Sequence, residues 1–237
     1  MPLVLNEVVL LDDDSAHYLR SVLRIKKDHL VILFNGVGGE YQGKVVEISR
    51  KSVQIELIFF DNKSIESPID ITLGIGISRG ERMDFVVQKS VELGVNKINP
   101  LITEHCVVQL KEDKKEKKIG HWQKISQNAA EQSGRTVCPA VEPIEQLAQW
   151  AEQQKGLKVF LDPFADKTLA QLQPETQQVT LLAGPEGGFS EQERIIAEQA
   201  GFIPIQMGAR VLRTETAALA SLTAIQVLWG DLGGFNA

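Results

Sequence analysis

The densest chemical signal lies in two glycine-bearing stretches near the C-terminus. An apolar run, Val179–Ala183, passes into Gly184-Pro185-Glu186-Gly187-Gly188, and Ser190 with Glu193 then forms a capping box that opens a helix. Three glycines beside a proline permit positive φ and close backbone approach, so amide and carbonyl groups can face a ligand without side-chain bulk. A plain strand-to-helix turn would not need three glycines, a proline and a carboxylate together. The phosphate-gripping lysine of a P-loop is absent, which disfavours a nucleoside triphosphate. The second stretch, Met207-Gly-Ala-Arg-Val-Leu-Arg-Thr-Glu-Thr-Ala217, precedes a segment, Ala217–Trp229, that is apolar or small nearly all round. Such a helix is buried in the core or against a second subunit. Arg210, Arg213 and Glu215 immediately before it are costly unless paired or employed, which places them in a site.

Other polar groups are less specific. Arg79 and Arg82 lie just past the strand-like Ile69–Ile77, with Lys89 two turns beyond Arg82. They could grip a phosphate or form surface salt bridges, and the residues alone leave both open. Asn128, Glu131 and Arg135 recur at i, i+3 and i+7, placing three polar side chains on one helix face. Gly74-Ile-Gly-Ile-Ser-Arg-Gly80 invites a dinucleotide reading, but its third glycine falls one residue late and no acidic ribose partner follows. His105 lacks zinc-ligand spacing, so no metal site is expected. Ser190 is explained as a cap rather than a nucleophile.

Two rhythms position these groups. In the first part, Leu30–Phe34, Glu40–Ile48 and Ser52–Phe60 read as short strands separated by glycine turns, a small antiparallel barrel or curled sheet. A helix over Ser15–Arg24 places Leu19, Val22 and Leu23 on one face and His17, Arg20 and Arg24 on the other. Asp61–Pro68 is a polar linker, giving domains 1–68 and 69–237. Beyond it, strands at Ile69–Ile77, Lys97–Thr103, Leu157–Asp162, Val179–Ala183 and Phe202–Gln206 alternate with helices near 81–93, 121–134, 142–154, 190–200 and 214–229. That alternation implies a mainly parallel sheet covered on both faces, with its ligand at the carboxyl ends of the strands. Lys111–Lys118 reads as a solvated, mobile segment.

The 237-residue chain carries 25 basic and 31 acidic side chains, so any nucleic-acid site must be a local patch. No run of eighteen apolar residues could span a membrane. Two cysteines build neither a disulfide framework nor a thiolate cluster. The acidic, non-basic N-terminus argues against a secretory signal and for a cytoplasmic protein.

Arg79-Gly-Glu-Arg82 through Glu92-Leu-Gly94, Asn128-Ala-Ala-Glu-Gln-Ser-Gly-Arg135, Gly184-Pro-Glu-Gly-Gly188 and Met207-Gly-Ala-Arg-Val-Leu-Arg-Thr-Glu-Thr-Ala217 stand in an order that resembles the RsmE family. These are 16S ribosomal RNA uracil-N3 methyltransferases of the SPOUT superfamily. The resemblance spans nearly the whole chain and is most specific from about residue 70; the first part matches mainly in Val22-Leu-Arg24 and its strand layout. It implies a PUA-like barrel that helps hold RNA, and an α/β domain whose last segment threads a trefoil knot, a rarity that periodicity could not suggest. It also implies a homodimer and S-adenosylmethionine held by three loops. Their residues here are Leu161 and Pro163; Ala183, Gly184, Pro185, Gly187 and Gly188; and Met207, Gly208, Val211, Leu212 and Arg213.

The implied chemistry sets the demands. Uracil N3 is a weakly acidic imide that attacks a methyl group only as its proton leaves, so the site must align the reactants and accept a proton. The base must also be unstacked. On this basis Arg213 stabilises the developing anion, and Glu186 or Glu215 accepts the proton. Arg20, Arg24, Arg79, Arg82, Asn128, Glu131 and Arg135 hold RNA, here 16S rRNA within the small ribosomal subunit. Two rivals remain: a SPOUT methyltransferase for another rRNA or tRNA position, and a non-catalytic RNA-binding assembly factor.

Overall fold

The computed structural model describes residues 3–49, 52–106 and 112–234. Residues 1–65 with Gly134–Cys138 form one compact unit, and residues 66–133 with 139–237 form a second.

The first unit is a four-stranded antiparallel sheet. Its strands β1 (Val8–Leu10), β2 (Leu30–Leu33), β3 (Glu40–Ile48) and β4 (Val53–Asp61) lie in the order β1-β4-β3-β2. Alternation along β4 sends Val53, Ile55 and Leu57 inward to pack with Val45 of β3 and with Leu3, Val9 and Ala16. The strand β1, only three residues long, was not expected from the sequence. Gly134–Cys138 also joins this unit, through bridges from Val137 to Gly36 and Val37 and bonds from Gly38 N–H to Thr136 O (3.1 Å) and from Cys138 N–H to Gly36 O (3.0 Å).

The helix expected over Ser15–Arg24 is corrected. Helix α1 (Asp13–His17) starts earlier, because Asp12 accepts the Ser15 N–H at 2.8 Å, and it widens into a π-helical turn over Tyr18–Val22. The extra residue per turn rotates the later side chains off the expected face. Leu19 still packs on the core, whereas Val22 and Leu23 are exposed. Arg24 lies past the helix at φ 50°, and Arg20 turns inward to donate to Ala16 O (3.2 Å) and Ser49 O (3.1 Å).

The second unit is an α/β layer around a seven-stranded sheet. Its strands are β5 (Asp70–Gly76), β6 (Lys97–Ile102), β7 (Ala140–Val141), β8 (Glu145–Gln146), β9 (Leu157–Leu161), β10 (Gln178–Ala183) and β11 (Ile203–Ile205). Their order is β11-β9-β10-β5-β6-β7, with β8 also on β6, and every pairing among the described residues is parallel. The helices are α2 (Glu81–Glu92), α3 (Glu112–Ser133), α4 (Leu147–Glu152), α5 (Glu191–Gln199) and α6 (Thr214–Trp229). None among the described residues is long and apolar enough to cross a membrane.

Central strand β5 shows how the layers are assembled. Ile71, Leu73 and Ile75 point to the face where α2 buries Met83, Val86, Val87 and Val91 and α6 buries Ala218, Leu222 and Ile225. Gly74 and Gly76 fall on the opposite face, where Trp150 of α4 and Pro185 come close. A Cβ at Gly74 would enter the fully buried Trp150 indole. Gly74→Ala should therefore destabilise the protein by about 1–3 kcal/mol, read as a lower urea midpoint at unchanged slope.

Three expectations in this unit change. The lysine-rich run, expected as a solvated, mobile segment, is helical from Glu112 onward and forms the first turns of α3, as its Lys and Glu favour, while Lys111 lies outside the described residues. The helix expected over 142–154 shrinks to α4, because residues 140–141 and 145–146 pair with β6. Helix α3 ends at Ser133 and Gly134 adopts φ 75°, so Arg135 does not share a helix face with Asn128 and Glu131. Arg135 is buried, while Asn128 and Glu131 are exposed.

Candidate active site

The carboxyl ends of β9 and β10 and the segment after β11 meet around one cavity of about 550 Å³. Leu161 and Pro163 line it from the first turn. Ala183, Gly184, Pro185, Glu186, Gly187 and Gly188 line it from the second, and Met207, Gly208, Val211, Leu212, Arg213 and Glu215 from the third. Arg82, at the start of α2, lines it as well.

Each turn is held by a local physical cause. Ser190 caps α5 through its hydroxyl, accepting from Glu193 N–H at 3.3 Å while the Glu193 carboxylate accepts Ser190 N–H at 2.9 Å. Gly188 N–H donates to Pro185 O at 2.9 Å, closing a tight turn at Gly188 φ 67°. Gly76 on β5 leaves the space into which Pro185 fits. Asp162 N–H bonds Ile205 O at 2.9 Å and Gln206 N–H bonds Lys167 O at 2.8 Å, tying the first turn to the third.

The charges are distributed unevenly. Glu186 accepts from Arg82 Nη1 at 2.9 Å and from Arg79 N–H at 3.3 Å. Burial pushes its carboxyl up. The bonds from its own N–H, the Arg79 N–H and the Arg82 guanidinium outweigh that and hold it below the usual carboxylate value. Its folded pKa is depressed, so the pairing with Arg82 persists above the ordinary range and is lost only as pH falls through the lowered value. Glu215 sits in the first turn of α6, and with Arg82 it also borders a shallower groove lined by Glu81, Asp84, Phe85, Gln88 and Ile125. Arg213 is the N-cap residue of α6, exposed, with no side-chain capping bond.

Sequence reasoning missed part of the lining. Asp162, buried at the end of β9, pairs with Arg194 of α5 at 2.8 Å, and its other oxygen accepts Phe164 N–H at 2.9 Å. Arg194 also lies 5.8 Å over the exposed Phe164 ring. The position of Asp162 at a strand end was the one available signal; Arg194, inside a helix, offered none. Arg20 and Arg24 belong to the first unit, as does Arg135; Asn128 and Glu131 sit on α3. Among the described residues no grouping of His, Cys, Asp or Glu could hold a metal ion.

Comparison with known proteins agrees with this architecture. Residues 65–226 match the family model of the RNA methyltransferase domain, and residues 11–58 match that of the RNA methyltransferase PUA domain. The chain is 40% identical over 234 residues to ribosomal RNA small subunit methyltransferase E of Buchnera aphidicola subsp. Schizaphis graminum, covering 97% of this chain and 94% of that one. It is 28% identical to the Bacillus subtilis protein of the same name, over 92% of this chain and 91% of the other. Among solved structures, ribosomal RNA small subunit methyltransferase E from Neisseria gonorrhoeae bound to S-adenosyl methionine superposes with TM-score 0.92 at 36% identity, covering 98% and 96% of the two chains. A Legionella pneumophila methyltransferase in complex with SAM gives TM-score 0.94 at 37% identity over the same shares. The chain belongs to the ribosomal RNA small subunit methyltransferase E family.

Proposed function

We propose that this protein transfers a methyl group from S-adenosylmethionine to N3 of a uridine in 16S ribosomal RNA, within the small ribosomal subunit. The observation that carries this reading is the cavity itself. Three backbone turns at strand ends converge on a space of about 550 Å³, a size suited to a small cofactor. Gly188 and Gly208 line it, and a Cβ at either would meet no protein atom within 4 Å, so the turns leave room for a ligand. Met207, Val211 and Leu212 give it apolar walls, and Glu215 supplies negative charge compatible with a sulfonium. The bound cofactor supplies an electrophilic methyl group. The family name of the relatives supplies the class of RNA.

The chain's own groups divide the remaining work. Arg213 faces the cavity and stabilises the charge that grows on the uracil ring as its proton departs. Glu215 rather than Glu186 accepts that proton, since Glu186 is committed to Arg82 and the Arg79 N–H. Glu215→Gln should then slow single-turnover methyl transfer by about 10²-fold or more, and Glu186→Gln by less than about tenfold. Equal losses in the two variants would remove the distinction.

Arg24, Arg79 and Arg82, with Asn128 and Glu131, are the exposed groups offered to RNA. Arg20 acts by holding the first unit's backbone through Ala16 O and Ser49 O, and Arg135 is buried rather than offered to RNA. The reading includes a trefoil path for the segment that brings α6 back from edge strand β11 to β10, a cytoplasmic location and a homodimer. Val227 and Leu228 of α6 stay about half exposed (49% and 44%), an apolar face that a second copy would cover. The test combines the protein, labelled cofactor and unmethylated small subunits, with mass spectrometry of the RNA at nucleotide resolution. A labelled N3-methyluridine at one position supports the reading; label elsewhere, or none, overturns it.

A further inference from the structure

The turn that lines the middle of the cavity is clamped on two flanks. On one flank, Arg82 and the Arg79 N–H hold the Glu186 carboxylate. On the other stands His105, in the segment following β6. Its Nδ1 lies 3.0 Å from Gly187 O and 3.3 Å from Gly188 O. Both partners are carbonyl oxygens, which only accept, so Nδ1 carries the hydrogen and the ring donates to two successive carbonyls. The contact is close: a Cβ on Gly187 would stand 2.8 Å from His105 Cβ. The neighbouring Glu104 is fastened too, its N–H donating at 2.8 Å to the Glu193 carboxylate that also secures the α5 cap. Cys106 Sγ bonds Ile77 O at 3.2 Å, anchoring the same segment to the end of β5.

We infer that His105 is a positioning residue of the cofactor site. By donating to the Gly187 and Gly188 carbonyls it holds the Pro185–Gly188 turn in the shape that lines the cavity. The inference rests on the proposed function for the identity of the ligand. Gly187 and Gly188 have no side chains through which neighbours could hold them, so they are held through backbone groups, Gly188 N–H by Pro185 O and the two carbonyls by His105. A turn carrying two glycines loses much conformational freedom when it orders around a ligand, and an external donor that pre-orders it removes part of that cost.

The full-length chain and three variants would be titrated calorimetrically with S-adenosylhomocysteine. Phenylalanine keeps the ring but has no donor, alanine removes both, and asparagine places an amide near Nδ1. One such hydrogen bond corresponds to roughly a two- to twelvefold change in affinity. His105→Phe and His105→Ala should therefore bind about fivefold more weakly. His105→Asn should return to within about twofold of the parent, and the KM for RNA should stay constant throughout. Recovery by asparagine separates a donor role from a packing role, because packing would favour phenylalanine. The inference is overturned if His105→Phe binds as tightly as the parent, or if asparagine fares no better than alanine. A parent chain that does not bind S-adenosylhomocysteine would instead overturn the proposed function.

Discussion

Arg213→Gln should slow methyl transfer by on the order of 10²- to 10³-fold while leaving S-adenosylhomocysteine affinity within about threefold of the parent. Glutamine retains much of the length and one donor group but removes the charge. The selective loss follows from location. Arg213 lines the cavity at the head of α6, where the unpaired N–H groups of the first helical turn already bias the local potential toward positive. An anion forming on the uracil ring gains from both, whereas a neutral ring gains far less, so the interaction belongs to the transition state. Single-turnover rates beside calorimetry distinguish the two effects. An undiminished rate removes Arg213 from the catalytic set, and parallel loss of rate and affinity would make it a binding residue.

Gly76→Ala is the other large effect, and its cause is steric. A Cβ there would lie 2.5 Å from Pro185 Cδ and 2.6 Å from Pro185 N, with the Gly184 carbonyl carbon at 3.2 Å. The obstacle includes backbone, so the turn lining the cavity has to move. A displacement approaching 1 Å costs on the order of 10²-fold in kcat/KM. Gly74→Ala, two residues earlier on the same face of β5, is the matched control, since it strikes Trp150 instead of the turn. It should melt earlier while its folded molecules retain normal cofactor affinity. If both variants lose only stability, Gly76 is a packing glycine with no tie to the cavity.

The parts of the molecule legible in the amino-acid order are those governed by local pattern. The strand–helix alternation after residue 68 is readable because parallel strands buried on both faces form short apolar runs, and Val179–Ala183 is such a run. Helix α6 is readable because apolar residues surround it, and its bounds, Thr214–Trp229, coincide with the expected 214–229. What escaped depends on partners distant in the chain. Val8–Leu10 is too short to show a period and is a strand only because β4 offers it an edge. The π turn at Tyr18–Val22 breaks a helical period that the residue types support, and the inward course of Arg20 needs Ser49, 29 positions away. The pairing of Asp162 with Arg194 spans 32 positions, and that of His105 with Gly187 spans 82. No composition or spacing signals either contact.

The short return of Gly134–Cys138 to the small N-terminal sheet has a consequence for biosynthesis. Val137 bridges Gly36 and Val37, so the connection between β2 and β3 acquires its last backbone partners only after more than 70 further residues have been translated. Truncation at the polar linker near residue 65 would leave Gly36 and Gly38 without those partners. Fragment design for nuclear magnetic resonance should graft the five-residue strip back on, and the nascent polypeptide must hold its first domain unfinished while much of the second emerges.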